Sequence, residues 1–263
     1  MVISNVIDES QIYFGADFQV TDKILIHQPT GREIIEFGEQ RYYSGITMLT
    51  AIPSDMKYQL EDLGFNYMKV EDYDLFLLLS RGLTPEMTKV NFGDLDFSKM
   101  ELAKDDENGL PVLVDTDAGV KIDKSVYLRM AEYLRKMHGI TPKVQNAANE
   151  TTRQILIQLD RDKAAKAAKE PYKSLLKTIV SGLMRNPACT MSWNELLDLP
   201  INALMDTLSG VQIFTATNAL LIGAHSGMVD TSKINKKEFD WMRDYEASKS
   251  SIVKENTSTK KAK

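Results

Sequence analysis

Carboxylates abound in this sequence without marking a paired acid and base, and the other side chains that raise acid–base or nucleophilic chemistry are His27, His138, His225, Cys189 and Ser226. The three histidines lie far apart, and none has a metal-ligating partner three or four residues on, where a helix would align it. Cys189 has no histidine near it in sequence to serve as the base a thiol nucleophile needs, so it reads as a small buried residue. Ser226 directly follows His225 in Gly223-Ala224-His225-Ser226-Gly227, but adjacent residues rarely point at one another as a nucleophile and base must. The glycines there read as a helix stop. Acidic runs at Asp105-Asp106-Glu107 and Asp115-Thr116-Asp117 raise calcium binding. An EF-hand loop begun at Asp115 needs glycine sixth and glutamate twelfth, and those places hold Val120 and Val126. Ordinary turn chemistry fits better. The sequence has no Gly-rich phosphate loop, GxSxG elbow, HExxH or close cysteine pair. The expectation is a non-enzymatic chain with no catalytic, cofactor or metal residues.

What positions these residues is mostly helix. Thr30 and Glu33 make a capping box before Ile34, Ile35 and Phe37, with Gly38 as a stop. Pro53-Ser54-Asp55 opens a helix with Met56, Leu60 and Leu63 on one face, and Gly64 ends it. Asp72 caps a third helix whose Leu75–Leu79 run is apolar on every side and marks the centre of the core. Thr84-Pro85 starts a short helix that stops near Gly93. Upstream, Ile12-Tyr13-Phe14 and Ile24-Leu25-Ile26 suit strands or an extended arm.

Between residues 97 and 122 the period shifts to two, with turns at Asn108-Gly109 and Asp117-Ala118-Gly119; a small antiparallel β meander follows. Asp123 caps a helix through Met137, and His138 in its last turn suits a favourable charge–dipole placement. Thr141-Pro142 breaks the chain. Thr151–Lys169 is a helix with Ile155, Leu156 and Leu159; Leu175–Met184 carries a broad apolar face. Ser192 and Glu195 cap a short helix, and Pro200–Ile222 is a long apolar one. Trp193–Ile222 has the outline of a helix-turn-helix, but the second helix opens apolar and acidic, which favours packing over DNA reading. Glu238–Tyr245 forms the last helix, and the Ser/Thr/Lys-rich stretch beyond reads as disordered.

The organisation expected is mainly α: an acidic part over 1–140 holding the β meander, a basic helical part over 141–245, and a tail over 246–263. Residues 1–120 carry 22 acidic and 9 basic side chains, a net of −13; residues 121–263 carry 15 and 23, a net of +8. Opposed halves favour salt-sensitive protein association, including self-association. The positive residues are spread out and lack interleaved aromatics, so nucleic acid is not the expected partner, and a nucleic-acid-binding protein using the basic C-terminal half is only the second alternative. The N-terminus lacks a signal-peptide pattern and no uninterrupted apolar run reaches membrane-spanning length, so no membrane role is expected.

Three segments carry a family resemblance: Gln28–Gly38 (QPTGREIIEFG) with Tyr42-Tyr43, Thr50–Leu63 (TAIPSDMKYQLEDL), and Ile234–Tyr245 (INKKEFDWMRDY). They resemble helical tailed-bacteriophage proteins encoded among the tail genes, similar in role to the chaperones that coat the tape-measure protein. The resemblance implies a tail-assembly factor acting in the host cytoplasm on another tail protein, or a structural component of the virion. Phe239, Trp241, Met242 and Tyr245, dense in aromatics near the terminus, are the candidate partner-binding residues.

Overall fold

The computed structural model describes residues 7, 9–105, 108–227, 230, 232 and 234–243. The protein is mainly α, with two small antiparallel sheets, and forms two compact units. The first comprises residues 1–175 and 198–202, the second 176–197 and 203–263. The division thus falls after Leu175 rather than at the Thr141-Pro142 break.

In the first unit, α1 (Glu9–Tyr13) takes up most of the Ile12-Tyr13-Phe14 run expected to be a strand or an extended arm, and buries Ile12. β1 (Phe18–Gln19) pairs with β2 (Leu25–Ile26). Next, α2 (Gly31–Phe37) starts at the predicted capping box: Thr30 Oγ1 accepts from Glu33 N at 3.2 Å, and Thr30 N donates to Glu33 Oε2 at 2.8 Å. The following α3 (Glu39–Thr50) buries Tyr42, Ile46 and Leu49. A 3-10 turn at Pro53–Asp55 leads to α4 (Lys57–Asp62), where Leu60 is buried but Leu63 is exposed, so the predicted Met56–Leu60–Leu63 face is only partly inside. Only one side of α5 (Asp72–Leu79) is covered: Leu75 and Phe76 are buried, while Leu78 is exposed. α6 (Pro85–Phe92) begins at Pro85 and ends at Gly93. It approaches α3 at Gly45, where an added Cβ would lie 2.5 Å from the Met87 carbonyl oxygen.

The meander forms as predicted, β3 (Glu101–Lys104) to β4 (Pro111–Asp115) to β5 (Val120–Ile122). Gly109 and Gly119 take positive φ at its turns, and Asp115 Oδ1 accepts from Asp117 N and Ala118 N. Asp123 caps α7 (Lys124–Met137), accepting from Val126 N at 2.8 Å. The core gathers around this helix: Tyr127 stacks on Phe76 at 4.4 Å, and Tyr133 on Phe18 at 4.6 Å. Phe76, Tyr127 and Tyr133 are fully buried, and burial of a large side chain contributes roughly 2–3 kcal/mol of apolar transfer free energy.

α8 (Glu150–Ala167) packs back on α4, with Ile157 joining Leu60, Tyr67 and Leu75 in one cluster. Arg153 reaches Glu61 and Glu150 from the same face. The helix therefore buries Arg153 and Ile157, while Ile155 and Leu159, two of the apolar residues noted in its sequence, are exposed. Residues 198–202 close the unit: Arg32 pairs with Asp198 at 2.6 Å, and Ile201 N donates to the Pro29 carbonyl at 2.9 Å.

The second unit starts with α9 (Leu175–Arg185), which buries Leu176, Ile179, Val180 and Leu183 at helical spacing. The Ser192–Glu195 box opens α10 (Trp193–Asp198). α11 (Ile201–His225) is the longest helix described. The last described stretch is a 3-10 turn, Lys236–Phe239, in place of the expected helix from Glu238. Tyr245 and the tail from 246 lie outside the described residues.

Candidate partner-binding surface

The residues with catalytic potential are committed elsewhere. His138 does not serve as a charged helix terminus: it is buried, its Nδ1 donates to the Leu134 carbonyl at 2.8 Å, and its Nε2 accepts from Tyr42 Oη at 2.7 Å. A backbone carbonyl can only accept, which fixes the proton on Nδ1 and leaves Nε2 as acceptor. Burial pushes its pKa down to about 4, so the ring is neutral. His27 stands between two carboxylates, with Nδ1 2.8 Å from Asp17 and Nε2 3.6 Å from Glu33. Both ring nitrogens thus face acids rather than a nucleophile. Ser226 Oγ donates to the Gly223 carbonyl as a helix-end group. Among the described residues, no three His, Cys, Asp or Glu side chains are grouped to hold a metal.

What the second unit offers instead is apolar surface. From Thr207 to Ala224 the α11 sequence has no charged side chain. Ala203, Leu204, Ile213 and Thr217 are buried, but Phe214 is 37% and Ile222 68% exposed. Val211 stands three residues before Phe214 and Leu221 seven after it, helical spacings by which one helix presents anchors to another protein. By length and composition α11 is also apolar enough to cross a membrane, and 11% of its most apolar window is buried. This qualifies the expectation drawn from uninterrupted runs, because Thr, Ser, Asn and Gln interrupt the apolar residues without adding charge.

The predicted C-terminal residues meet this helix. Trp241 packs edge-on against Phe214 with ring centroids 6.1 Å apart, and Thr217 Oγ1 donates to the Glu238 carbonyl at 3.2 Å. Arg243 clamps the segment from within, pairing with the Glu238 carboxylate at 2.8 Å and donating to the Lys237 carbonyl at 3.2 Å. Phe239 is half-buried, while Trp241 is 56% and Met242 76% exposed. Phe214, Trp241 and Met242 thus make a water-facing apolar patch around a ring pair. Sequence reasoning named Trp241 and Met242 as candidates but did not single out Phe214 from the long apolar helix. The missing signal was any charge on α11 to mark a wet face.

Comparison with known proteins adds no name to this surface: no protein-family model, curated protein or solved structure matches the chain.

Proposed function

We propose that this chain is a non-enzymatic assembly factor of a bacteriophage tail that binds another tail protein, such as the tape measure, in the host cytoplasm. The observation that supports the reading is α11: a 25-residue helix, uncharged over most of its length, with Phe214 and Ile222 exposed and with exposed Trp241 and Met242 in the segment that packs on it. Folded monomers rarely leave apolar surface of this kind uncovered unless it binds something. A long helical partner suits it, since an amphipathic helix docks through anchors at helical spacing. Opposed charge in the two halves of the chain favours encounter with a complementary partner and makes it salt-sensitive. The resemblance of Gln28–Gly38, Thr50–Leu63 and Ile234–Tyr245 to tail-gene proteins supplies the identity of the partner.

The test is co-expression with a tape-measure protein, followed by purification at low salt. A soluble complex is the expected result, with Phe214→Asp weakening it by about tenfold or more, as the loss of a central aromatic anchor does. Failure to co-purify, or equal binding by the variant, would overturn the proposal. So would sedimentation of the free chain with anionic lipid vesicles through α11. Mass spectrometry of purified particles adds a second check: an assembly factor is absent from them, a virion component present.

A further inference from the structure

In the first unit, the 3-10 turn Pro53–Asp55, the start of α4, the loop before α8 and one side of α8 surround a cavity of about 360 Å³. Its lining carries three lysines, Lys57, Lys143 and Lys163, against two aspartates, Asp55 and Asp160. Lys57 is 7% exposed, so most of the residue lies out of water. It donates to the Ser54 carbonyl and lies 6.0 Å from the centroid of the Tyr67 ring. Neither contact supplies a negative charge. Lys121, Lys124, Lys136 and Lys173 form ion pairs, and none of them lines this cavity.

Both aspartates have backbone duties. Asp55 Oδ2 accepts from Ile52 N at 3.0 Å, and Asp160 Oδ2 faces Tyr58 N at 3.5 Å. Gln145 N donates to Ser54 Oγ at 3.0 Å, which ties the loop bearing Lys143 to the turn beneath. Leu156 and Leu159 add an apolar wall. A buried cation with no counter-ion is a standing cost that a bound anion offsets. The volume falls at the lower end of the range for small-molecule pockets.

We propose that this cavity binds a small polyanion bearing phosphate or carboxylate groups. Lys57 is the fixed cation at its buried end, Lys143 and Lys163 are the exposed cations at its rim, and the leucine wall accommodates an apolar edge of the ligand. The site belongs to the first unit and stands or falls independently of α11.

The test is a titration of the isotope-labelled full chain with inorganic pyrophosphate and, separately, with citrate, at low ionic strength, followed by amide NMR. Saturable shifts at Ser54, Lys57, Gln145 and Asp160 are expected, and the tighter probe assigns the ligand to phosphate or carboxylate chemistry. The double variant Lys143→Ala/Lys163→Ala alters only exposed side chains and should weaken binding about tenfold. Lys57→Met should abolish it; if that variant fails to fold, the double variant decides. The proposal is overturned by no saturable shift at millimolar probe, by equal affinity in the double variant, or by shifts confined to the basic C-terminal residues.

Discussion

Acid should destabilise this protein through His138. The ring is buried, with its Nδ1–H spent on the Leu134 carbonyl and its Nε2 receiving the Tyr42 hydroxyl. A proton added to Nε2 would put a charge in the core, where burial removes the water that would solvate it. The folded pKa, about 4, therefore lies below the ordinary value of 6.5 that the unfolded chain regains. Because the folded state binds the proton less readily, this contribution is fully present above about pH 6.5 and is lost as the pH falls towards about 4. At 1.36 kcal/mol per pKa unit, the gap amounts to about 3 kcal/mol. Urea denaturation at a series of pH values measures it. Exposed carboxylates also titrate near the lower end, so the comparison is with His138→Gln, which removes only the imidazole. The wild type should lose about 3 kcal/mol more than the variant between about pH 7 and pH 4. Parallel pH profiles for the two would refute the assignment of a buried neutral histidine. Tyr42→Phe, which leaves Nε2 without its donor, should cost about 1–3 kcal/mol near neutral pH.

Two further substitutions test the packing. Ile157→Ala removes the α8 side chain from the Leu60–Tyr67–Leu75 cluster and should cost about 3 kcal/mol by chemical denaturation, with faster hydrogen exchange along α8. A value near zero would mean α8 does not need this contact. At Gly45, alanine improves helix propensity by about 1 kcal/mol, yet its methyl would meet the Met87 carbonyl oxygen at 2.5 Å. Backbone cannot yield as a flexible side chain can, so Gly45→Ala should be net destabilising by about 1–2 kcal/mol; a stabilised variant would show that α6 moves away freely.

The parts of the fold readable from sequence are those set by local chemistry. Thr30 with Glu33, Asp123 before α7 and Ser192 with Glu195 each satisfy helix-end amides from a few residues away, and all three caps form. The meander was legible because Gly109 and Gly119 allow the positive φ its turns require. Elements decided by distant partners were not. No signal marked α3, whose Tyr42, Tyr43, Ile46, Thr47 and Thr50 are indifferent helix formers; burial of Tyr42, Ile46 and Leu49 stabilises it. On α8 the face is chosen by Glu61 and Leu60 of α4, which draw in Arg153 and Ile157 and leave Ile155 and Leu159 in water. His138 was misread because nothing near it in sequence announces Tyr42, which arrives from 96 residues away. Of the candidate site, Trp241 and Met242 were legible as unusual near a terminus, whereas exposure of Phe214 depends on what lies beside α11.

The proposed function requires α11 and Trp241 to be the surface that the partner covers. Hydrogen–deuterium exchange of the full chain, alone and with a tape-measure protein, tests it most directly. Binding should slow exchange in α11 from Val211 through Ile222 and in the 236–243 segment. Complex formation that leaves those amides unprotected, with protection elsewhere on the chain, would contradict the account.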